Sequence, residues 1–253
     1  MQFQFAPYAI AVNIADKATL LANVAQRFAA RQGFALATIN LDHLVKLHRS
    51  ESFRATYAAQ DLVVADGNPI VWLSRLAGRP VSLVPGSDMV LPLAEAAARA
   101  GVGVALVGST DAALQAAATH LMQTVPGLIV VMRHAPAMGF DPESDEAARV
   151  LAELAARKVG LCFLALGSPK QETFAARGRR LAPDVGFASI GAGLDFLAGT
   201  QPRAPAWVRA IAMEWVWRVL TSPRRLIPRY AACIAILPGE IATALRQRQP
   251  PSA

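Results

Sequence analysis

Short apolar runs alternate with longer amphipathic stretches over the first 200 residues of the chain. The runs are rich in valine, isoleucine, leucine and phenylalanine and end at glycine or polar residues, which is typical of strands buried on both faces. The stretches between them repeat their apolar positions every three or four residues, as amphipathic helices do. Because the two patterns alternate, we predict an α/β fold with a Rossmann-like parallel sheet flanked by helices.

Seven segments are predicted as strands, and five of the stretches between them as helices. The predicted strands are Ala9–Ile14, Phe34–Ile39, Leu62–Ala65, Val102–Val107, Leu128–Met132, Val159–Leu166 and Val185–Ile190. The predicted helices are Lys17–Arg31, Met89–Arg99, Ala112–Gln123, Glu143–Arg157 and Lys170–Arg180.

The last fifth of the chain is predicted to contain helices and no strands. Two prolines between Thr200 and Pro205 interrupt the alternation and indicate a boundary. We therefore predict a catalytic domain over residues 1–200 and a helical appendage over 201–253. The predicted helices of the appendage are Pro205–Leu220, ended by Ser222-Pro223, and Pro228–Arg246, with a break at Pro238-Gly239.

The composition is that of a folded protein with a large core. Hydrophobic residues make up 54% of the chain and charged residues 17%, which excludes an intrinsically disordered protein. Cys162 and Cys233 lie in apolar stretches and are too few for a disulfide framework or a metal site, so we expect buried, unreactive thiols. The first residues lack a secretory signal, and no apolar run reaches the ~18 residues of a membrane span, so we expect a cytoplasmic protein.

The net charge of +7 is concentrated in the appendage, which contains eight arginines, two glutamates and no lysine. Trp207, Ile211 and Trp215 share one face of a predicted helix that arginines flank, which favours peripheral docking on the inner surface of the plasma membrane. Packing of the tryptophans on the domain is the structural alternative. No nucleic-acid partner is expected, because the sequence has no recognition module and its basic segment is too apolar.

Small and polar residues directly follow five of the predicted strands. In a parallel sheet the loops after the strands share one edge, where ligands of such folds bind. We therefore predict a single pocket at this edge. The loops are Asn40–His43, Asp66–Pro69, Gly108–Thr110, Gly167–Glu172 and Gly191–Asp195.

The segment Gly167-Ser168-Pro169-Lys170-Gln171 has the composition of a helix start that binds phosphate. Glycine allows close approach, proline suits the first helical position, lysine adds positive charge, and the first N–H groups of a helix attract anions. Ser168 and Gln171 also have the spacing of a capping box, which needs no ligand. Both interpretations fit the sequence.

The absence of familiar motifs narrows the chemistry. Gly101-Val102-Gly103 lacks the third glycine of a dinucleotide fingerprint and precedes its strand, and no GxxxxGK[ST] motif occurs, so a dehydrogenase is disfavoured and a P-loop NTPase excluded. No Asp-x-Asp pair offers clustered carboxylates to a divalent cation. We predict no metal and no cofactor, with helix N-termini and Lys or Arg side chains neutralising a diphosphate.

Eight blocks resemble the WecG/TagA/CpsF glycosyltransferases in order and spacing, over nearly the whole chain. The resemblance implies an inverting, metal-independent enzyme of cell-surface polysaccharide synthesis. Such enzymes transfer N-acetylmannosamine, its uronic acid or glucose from UDP to an undecaprenyl-diphosphate-linked sugar. The blocks are Thr38–His43, Ala65–Trp72, Pro85–Asp88, Gly167–Glu172, Gly191–Phe196, Arg203–Trp207, Glu214–Arg218 and Pro223–Leu226.

The resemblance also implies roles for individual residues. Asp66 matches the general base, and one carboxylate suffices because the departing diphosphate needs no acid; a plain turn at Asp66-Gly67 is the structural alternative. The residues expected to bind the sugar and its diphosphate are Thr38, Asn40, Gln171, Arg218 and Arg225. The residues expected to bind the nucleotide are Gly108, Ser109, Gly167, Ser168, Lys170, Gly191, Gly193 and Asp195.

Two features modify the implied function. Leu83 stands where the family often has arginine, and Arg75 or Arg79 could replace that charge. The stretch His134–Phe140 resembles the exopolysaccharide branch, so the transferred sugar is predicted only as a hexose or N-acetylhexosamine. The alternatives are a noncatalytic nucleotide-binding or membrane-adaptor protein and a nucleic-acid binder, and a homo-oligomer is left open.

The four histidines have no metal-ligand spacing, and each is predicted at the surface or in a loop. They are His43, His48, His120 and His134. His43 lies close enough to the predicted pocket to contact a substrate.

Overall fold

The computed structural model describes residues 1–201, 204, 205, 208 and 214–248. Its centre is a six-stranded parallel sheet with the strand order β4-β3-β8-β7-β5-β6, and a separate antiparallel hairpin pairs β1 with β2. The strands are β1 (Gln2–Phe5), β2 (Tyr8–Ala11), β3 (Phe34–Ile39), β4 (Leu62–Ala65), β5 (Gly103–Gly108), β6 (Val130–His134), β7 (Val159–Ala165) and β8 (Gly186–Ser189).

Helices cover both faces of this sheet. The described helices are α1 (Lys17–Ala29), α2 (Leu41–Arg49), α3 (Glu51–Ala58), α4 (Asn68–Leu76), α5 (Val90–Ala100), α6 (Asp111–Thr124), α7 (Asp145–Ala156), α8 (Lys170–Leu181), α9 (Gly193–Leu197), α10 (Glu214–Thr221) and α11 (Pro223–Arg248), with a 3-10 turn over Gly86–Met89. α1, α5 and α6 pack on one face, whereas the hairpin, α2–α4, α7 and α8 pack on the other. The predicted α/β fold is confirmed.

Burial of the central strands explains their uninterrupted apolar sequences. Every residue of β3, β4 and β8 is buried, and successive side chains enter the clusters on opposite faces of the sheet. Cys162 of β7 is likewise buried and free, as is Cys233 of α11, which confirms both thiol predictions. Burial raises the pKa of the Cys162 thiol well above its usual range.

The N-terminal strand differs from the prediction. The strand predicted at Ala9–Ile14 ends at Ala11, and it pairs with Gln2–Phe5 instead of joining the parallel sheet. Alternate side chains of the hairpin, including Phe3, Phe5 and Ile10, are buried against α3 and its neighbours. Such alternation is typical of an antiparallel pair with one solvated face, whereas a parallel strand is buried on both.

The C-terminal helix α11 is longer than predicted. It runs from Pro223 to Arg248 without interruption, so the break predicted at Pro238-Gly239 is wrong. A proline inside a helix costs a backbone hydrogen bond, but packing holds both halves of this helix. Cys233 is buried before the proline, and Ala244 after it lies in the cluster shared by the hairpin, α2 and α4.

Part of α11 resembles a membrane span. Among the described residues one segment, Leu226–Arg248, is long and apolar enough to cross a bilayer by length and composition. No such segment was expected, because Arg229 and Glu240 interrupt its apolar residues. One face of α11 packs on α2 and α4, which fits a helix lying along the domain. α10 ends at Thr221, one residue beyond the predicted Leu220 and just before Ser222-Pro223. Trp207 and Ile211 lie outside the described residues.

Candidate active site

The carboxyl edge of the sheet brings the five predicted loops side by side. The loop after β4 neighbours the loop after β3, and the loops after β8, β7 and β5 follow in that order. From β5 the chain continues outward to β6, whereas from β7 it continues in the opposite direction to β8. Ligands of open α/β sheets bind at such a reversal.

Asp66 lies beside Asn40 at one end of this row. The Asp66 amide donates to the Ile39 carbonyl at 2.8 Å, and a Cβ built on Gly67 would lie 3.7 Å from the Asn40 Cβ. The general-base candidate and the sugar-binding candidate are therefore adjacent. Leu83, the position at which arginine was expected from the resemblance, also lies at this end of the row. The Val84 amide donates to the Ala65 carbonyl at 2.8 Å and so holds the preceding Leu83 beside the end of β4.

Asn40 and Thr38 both have structural tasks besides any contact with a ligand. The Asn40 Oδ1 accepts from the His43 amide at 3.1 Å and so caps α2. The Thr38 side chain is buried, and a Cβ on Gly86 would lie 3.0 Å from its Cγ2. No described residue accepts from the Asn40 amide hydrogens, which can bind a ligand, whereas Thr38 presents only a small remaining surface.

Gln171 connects the loops that follow β7 and β8. Its Oε1 accepts from the Gly191 amide at 3.3 Å, and its Nε2 donates to the Glu172 Oε1 at 2.8 Å. A backbone N–H can only donate and an ionised carboxylate can only accept, so the amide orientation is fixed. Gln171 is buried, at 3% exposure, so it can offer a substrate at most one amide hydrogen and one lone pair.

The capping interpretation of the Gly167–Gln171 loop is wrong. α8 begins at Lys170, its cap residue is Pro169, and no described side chain caps it. The Ser168 Oγ is buried without a hydrogen-bond partner among the described residues. The helix begins at Lys170, as predicted, but Pro169 is its cap residue and not its first helical residue. A serine hydroxyl does not cap the first N–H groups of α8.

The glycines of this edge fall into two groups. A Cβ on Gly108 would lie 2.4 Å from the carbonyl of Ala165, and one on Gly193 would lie 2.8 Å from a valine of α5, so packing alone requires both glycines. Gly167 and Gly191 have φ values of +72° and +58°, and a Cβ on either would meet no atom within 4 Å. These two glycines border open space that a ligand can approach.

Replacing Gly108 by alanine is expected to destabilise the fold by about 3 kcal/mol. Its φ of +121° is unfavourable for alanine, and the overlap is with backbone atoms of β7 that cannot rotate away. Gly101→Ala is the matched control, because Gly101 has a φ of +64° but open surroundings and should cost only about 1 kcal/mol of backbone strain. Urea unfolding measures both; equal losses would contradict the packing argument.

Ser109 and Asp195 are joined to each other. The Ser109 Oγ donates to the Asp195 Oδ1, and Gln201 Nε2 donates to the Asp195 Oδ2 at 3.1 Å. The Ser109 amide donates to the Ala165 carbonyl at 3.1 Å. These two nucleotide-binding candidates therefore tie together the loops after β5, β7 and β8.

Three charged residues near the site, Asp42, Lys46 and Arg229, were not among the predicted functional residues. Asp42 of α2 accepts from the Arg229 Nε of α11 at 2.5 Å, and Lys46 lies 2.9 Å from the other Asp42 oxygen. Lys46 Nζ also donates to the Ser168 carbonyl at 3.2 Å. Burial alone would raise the pKa of Asp42, but Arg229 and Lys46 lower it. The i, i+4 spacing of Asp42 and Lys46 was the available signal for their pairing.

His43 is not at the surface, so that prediction is wrong. It is buried under α3, where its Nδ1 lies 3.0 Å from the hydroxyl oxygen of Tyr57. Burial lowers its pKa, so the ring is neutral near pH 7. His120 is exposed, as predicted, and His48 is a partly exposed surface residue that lies 2.7 Å from Glu240. Within the described part of the chain, no three His, Cys, Asp or Glu side chains group as metal ligands.

The arginine candidates are only partly placed. Arg79 lies near the amino terminus of Met1, whose pKa is lowered by burial and by that charge. Arg75 lies in the last turn of α4 and Arg79 follows that helix, at the end remote from Asp66, so neither is a good substitute for the family arginine. Arg218 and Arg225 belong to α10 and α11, but their side chains lie outside what the structure describes.

Comparison with known proteins agrees with this arrangement. The model of the glycosyl transferase WecG/TagA/CpsF family matches residues 6–251. Over 220 residues the chain is 26% identical to an N-acetylglucosaminyldiphosphoundecaprenol N-acetyl-beta-D-mannosaminyltransferase of Bacillus spizizenii (strain W23), covering 84% of this chain and 82% of that protein. It is 23% identical over 209 residues to the protein of the same name from Bacillus subtilis (strain 168), covering 80% and 79%. The chain belongs to the WecG/TagA/CpsF family of glycosyltransferases.

Proposed function

We propose that this glycosyltransferase moves a hexose or N-acetylhexosamine from a UDP-sugar to an undecaprenyl-diphosphate-linked sugar, with inversion and without a metal ion. The observation that carries the proposal is the position of Asp66 beside Asn40, at one end of a row of loops that reaches the start of α8. The acceptor class follows the names of the two Bacillus relatives.

The reaction requires one base and a stabilised leaving group. Asp66 takes the proton of the acceptor hydroxyl while the hydroxyl oxygen attacks the anomeric carbon from the face opposite UDP. The bond from the anomeric carbon to the phosphate oxygen breaks, and UDP departs with the electron pair. A glycosidic bond of inverted configuration forms, and fixed positive charge stabilises the diphosphate.

The donor is expected to lie along the carboxyl edge. α8 begins without a side-chain cap from the described residues, so N–H groups of its first turn can bind phosphate. Lys170 adds charge at the start of α8. The sugar is assigned to Thr38, Asn40 and Gln171, and the diphosphate also to Arg218 and Arg225. The nucleotide is assigned to Gly108, Ser109, Gly167, Ser168, Lys170, Gly191, Gly193 and Asp195.

The appendage, 201–253, is proposed to hold the enzyme on the inner face of the plasma membrane, where a lipid-linked acceptor lies. The Arg229–Asp42 ion pair holds α11 on the domain. Asp42 also binds Lys46, and Lys46 donates to the Ser168 carbonyl in the loop before α8. A membrane-docked helix is thus connected to the donor loop by direct contacts.

The test is a panel of UDP-sugars offered to the purified chain with an N-acetylglucosamine diphosphate carried on a short polyprenol. We expect UDP release with one donor, dependent on the acceptor and unaffected by EDTA, and a product of inverted anomeric configuration by NMR. Saturable donor binding without UDP release or product would instead support the noncatalytic adaptor.

A further inference from the structure

A buried carboxylate lies directly beneath the candidate site. Glu172, in the first turn of α8, is 0% exposed. Its Oε1 accepts from Gln171, while its Oε2 has no hydrogen-bond partner among the described residues. Burying an incompletely paired carboxylate reduces the stability of the fold. We therefore infer that Glu172 has a function other than packing.

One arm of a polar network leads from Glu172 to the loop after β8. Glu172 accepts from Gln171 at 2.8 Å, and Gln171 accepts from the Gly191 amide at 3.3 Å. The carboxylate accepts only, so it forces the Gln171 carbonyl oxygen towards Gly191. Without that charge the amide could rotate and present the opposite polarity to the loop and to the pocket.

A separate set of buried hydrogen bonds holds the end of β3. The Tyr57 hydroxyl donates to the Thr38 carbonyl at 2.6 Å. Because a carbonyl only accepts, this bond uses the single tyrosine hydrogen, and His43 must donate its Nδ1 hydrogen to the Tyr57 oxygen. The bonds therefore select the Nδ1–H tautomer of the neutral ring and hold the backbone at Thr38.

Glu172 is hydrogen-bonded to the first of these sets, through Gln171, and influences the second only through its charge. Its charge acts on both His43 and Tyr57, and burial together with the charges of Glu172 and Asp66 raises the pKa of Tyr57, which keeps its proton. Gln60 of the segment after α3 donates to the Glu172 carbonyl at 3.1 Å. The buried Ser189 Oγ at the end of β8 is also without a described partner. Hydrogen bonds between buried groups hold side chains in one arrangement, although this network is only partly satisfied, since Glu172 Oε2, Gln60 Oε1 and Ser189 Oγ have no partner among the described residues.

We propose that Glu172 is a positioning residue that preorganises the donor-sugar site by fixing the orientation of the Gln171 amide. The proposal rests on the assignment of Gln171 to the sugar. Glu172 itself is buried and does not touch the substrate.

Glu172→Gln tests the proposal, because it removes the charge and keeps the shape. The new amide carries hydrogens of its own, so the Gln171 orientation is no longer dictated. We expect the donor KM to rise on the order of 10- to 100-fold, while the inhibition constant of UDP, which lacks the sugar, changes less than about 3-fold on the same reasoning. Glu153→Gln, which removes a half-exposed carboxylate from α7, is the matched control and should leave both constants unchanged.

A second measurement does not require activity. Hydrogen exchange of the Gly191 amide should be faster in Glu172→Gln than in the wild type, because its acceptor is no longer fixed. If Glu172→Gln does not fold, Glu172→Asp, which keeps the charge but withdraws it from the Gln171 amide, replaces it and should raise the donor KM about 10-fold with UDP inhibition unchanged. Equal changes in donor KM and UDP inhibition, or an unchanged KM with unchanged exchange at Gly191, would overturn the proposal. A wild-type chain without turnover would refute the proposed function, and the exchange measurement would still decide the role of Glu172.

Discussion

Asp66→Asn is expected to lower the transfer rate about 10²- to 10⁴-fold while donor affinity stays within about 3-fold, the range lost when a general base is removed. Asparagine keeps the size and hydrogen-bonding reach of aspartate but cannot accept the proton of an acceptor hydroxyl. The Asp66 backbone is held by the Ile39 carbonyl, a bond that the substitution preserves. The loss should therefore appear in kcat and not in folding.

Asp184→Asn provides the control for this variant. Asp184 is exposed in the loop before β8, at the opposite edge of the sheet from the candidate site, so its removal should leave the rate unchanged. Steady-state transfer, donor binding by calorimetry and thermal unfolding should be measured on both variants. A fully active Asp66→Asn enzyme would mean that another group, or no base at all, deprotonates the acceptor.

The carboxyl edge could be predicted because its signals are local. Each central strand is an apolar run that stops at glycine or a polar residue, and in a parallel sheet such stops must gather at one edge. Phe34–Ile39 and Leu62–Ala65 were predicted with the bounds that the structure has. Asp66 and Asn40 became neighbours only because β3 and β4 are adjacent, a pairing that the short crossover through α2 and α3 favours.

The buried network beneath the site could not be predicted from the sequence. Tyr57 and Glu172 are 115 positions apart in the chain, and nothing local in either segment indicates that α3 packs on α8. Charged residues are rarely buried, so nothing in the sequence marks Glu172 as a core residue. Tertiary packing buries it. The same holds for His43, whose polar neighbours in the sequence suggested a loop and not a helix face turned inward.

The outward face of α11 carries three isoleucines in line. Ile227, Ile234 and Ile241 are 56%, 62% and 40% exposed, and a spacing of seven residues places them nearly above one another along the helix. Two residues after the first, Arg229 on the opposite side binds Asp42 and holds the helix to the domain. The isoleucine line therefore points away from the protein, as the apolar face of a helix docked in a bilayer interface does.

Replacing all three isoleucines by serine is expected to weaken binding to anionic vesicles about 100-fold, from roughly 1 kcal/mol of partial burial per side chain. Transfer to a lipid acceptor in the vesicles should fall in proportion, whereas transfer to a water-soluble, short-chain acceptor should not change, because the line lies far from the inner contacts of α11. The matched control replaces three exposed apolar residues elsewhere, Met122, Ile129 and Met138, and should sediment with vesicles like the wild type. If the isoleucine variant still sediments with anionic vesicles like the wild type, docking through this face is contradicted. If the wild type is an oligomer and the variant a monomer in analytical ultracentrifugation, the face binds a second copy of the chain.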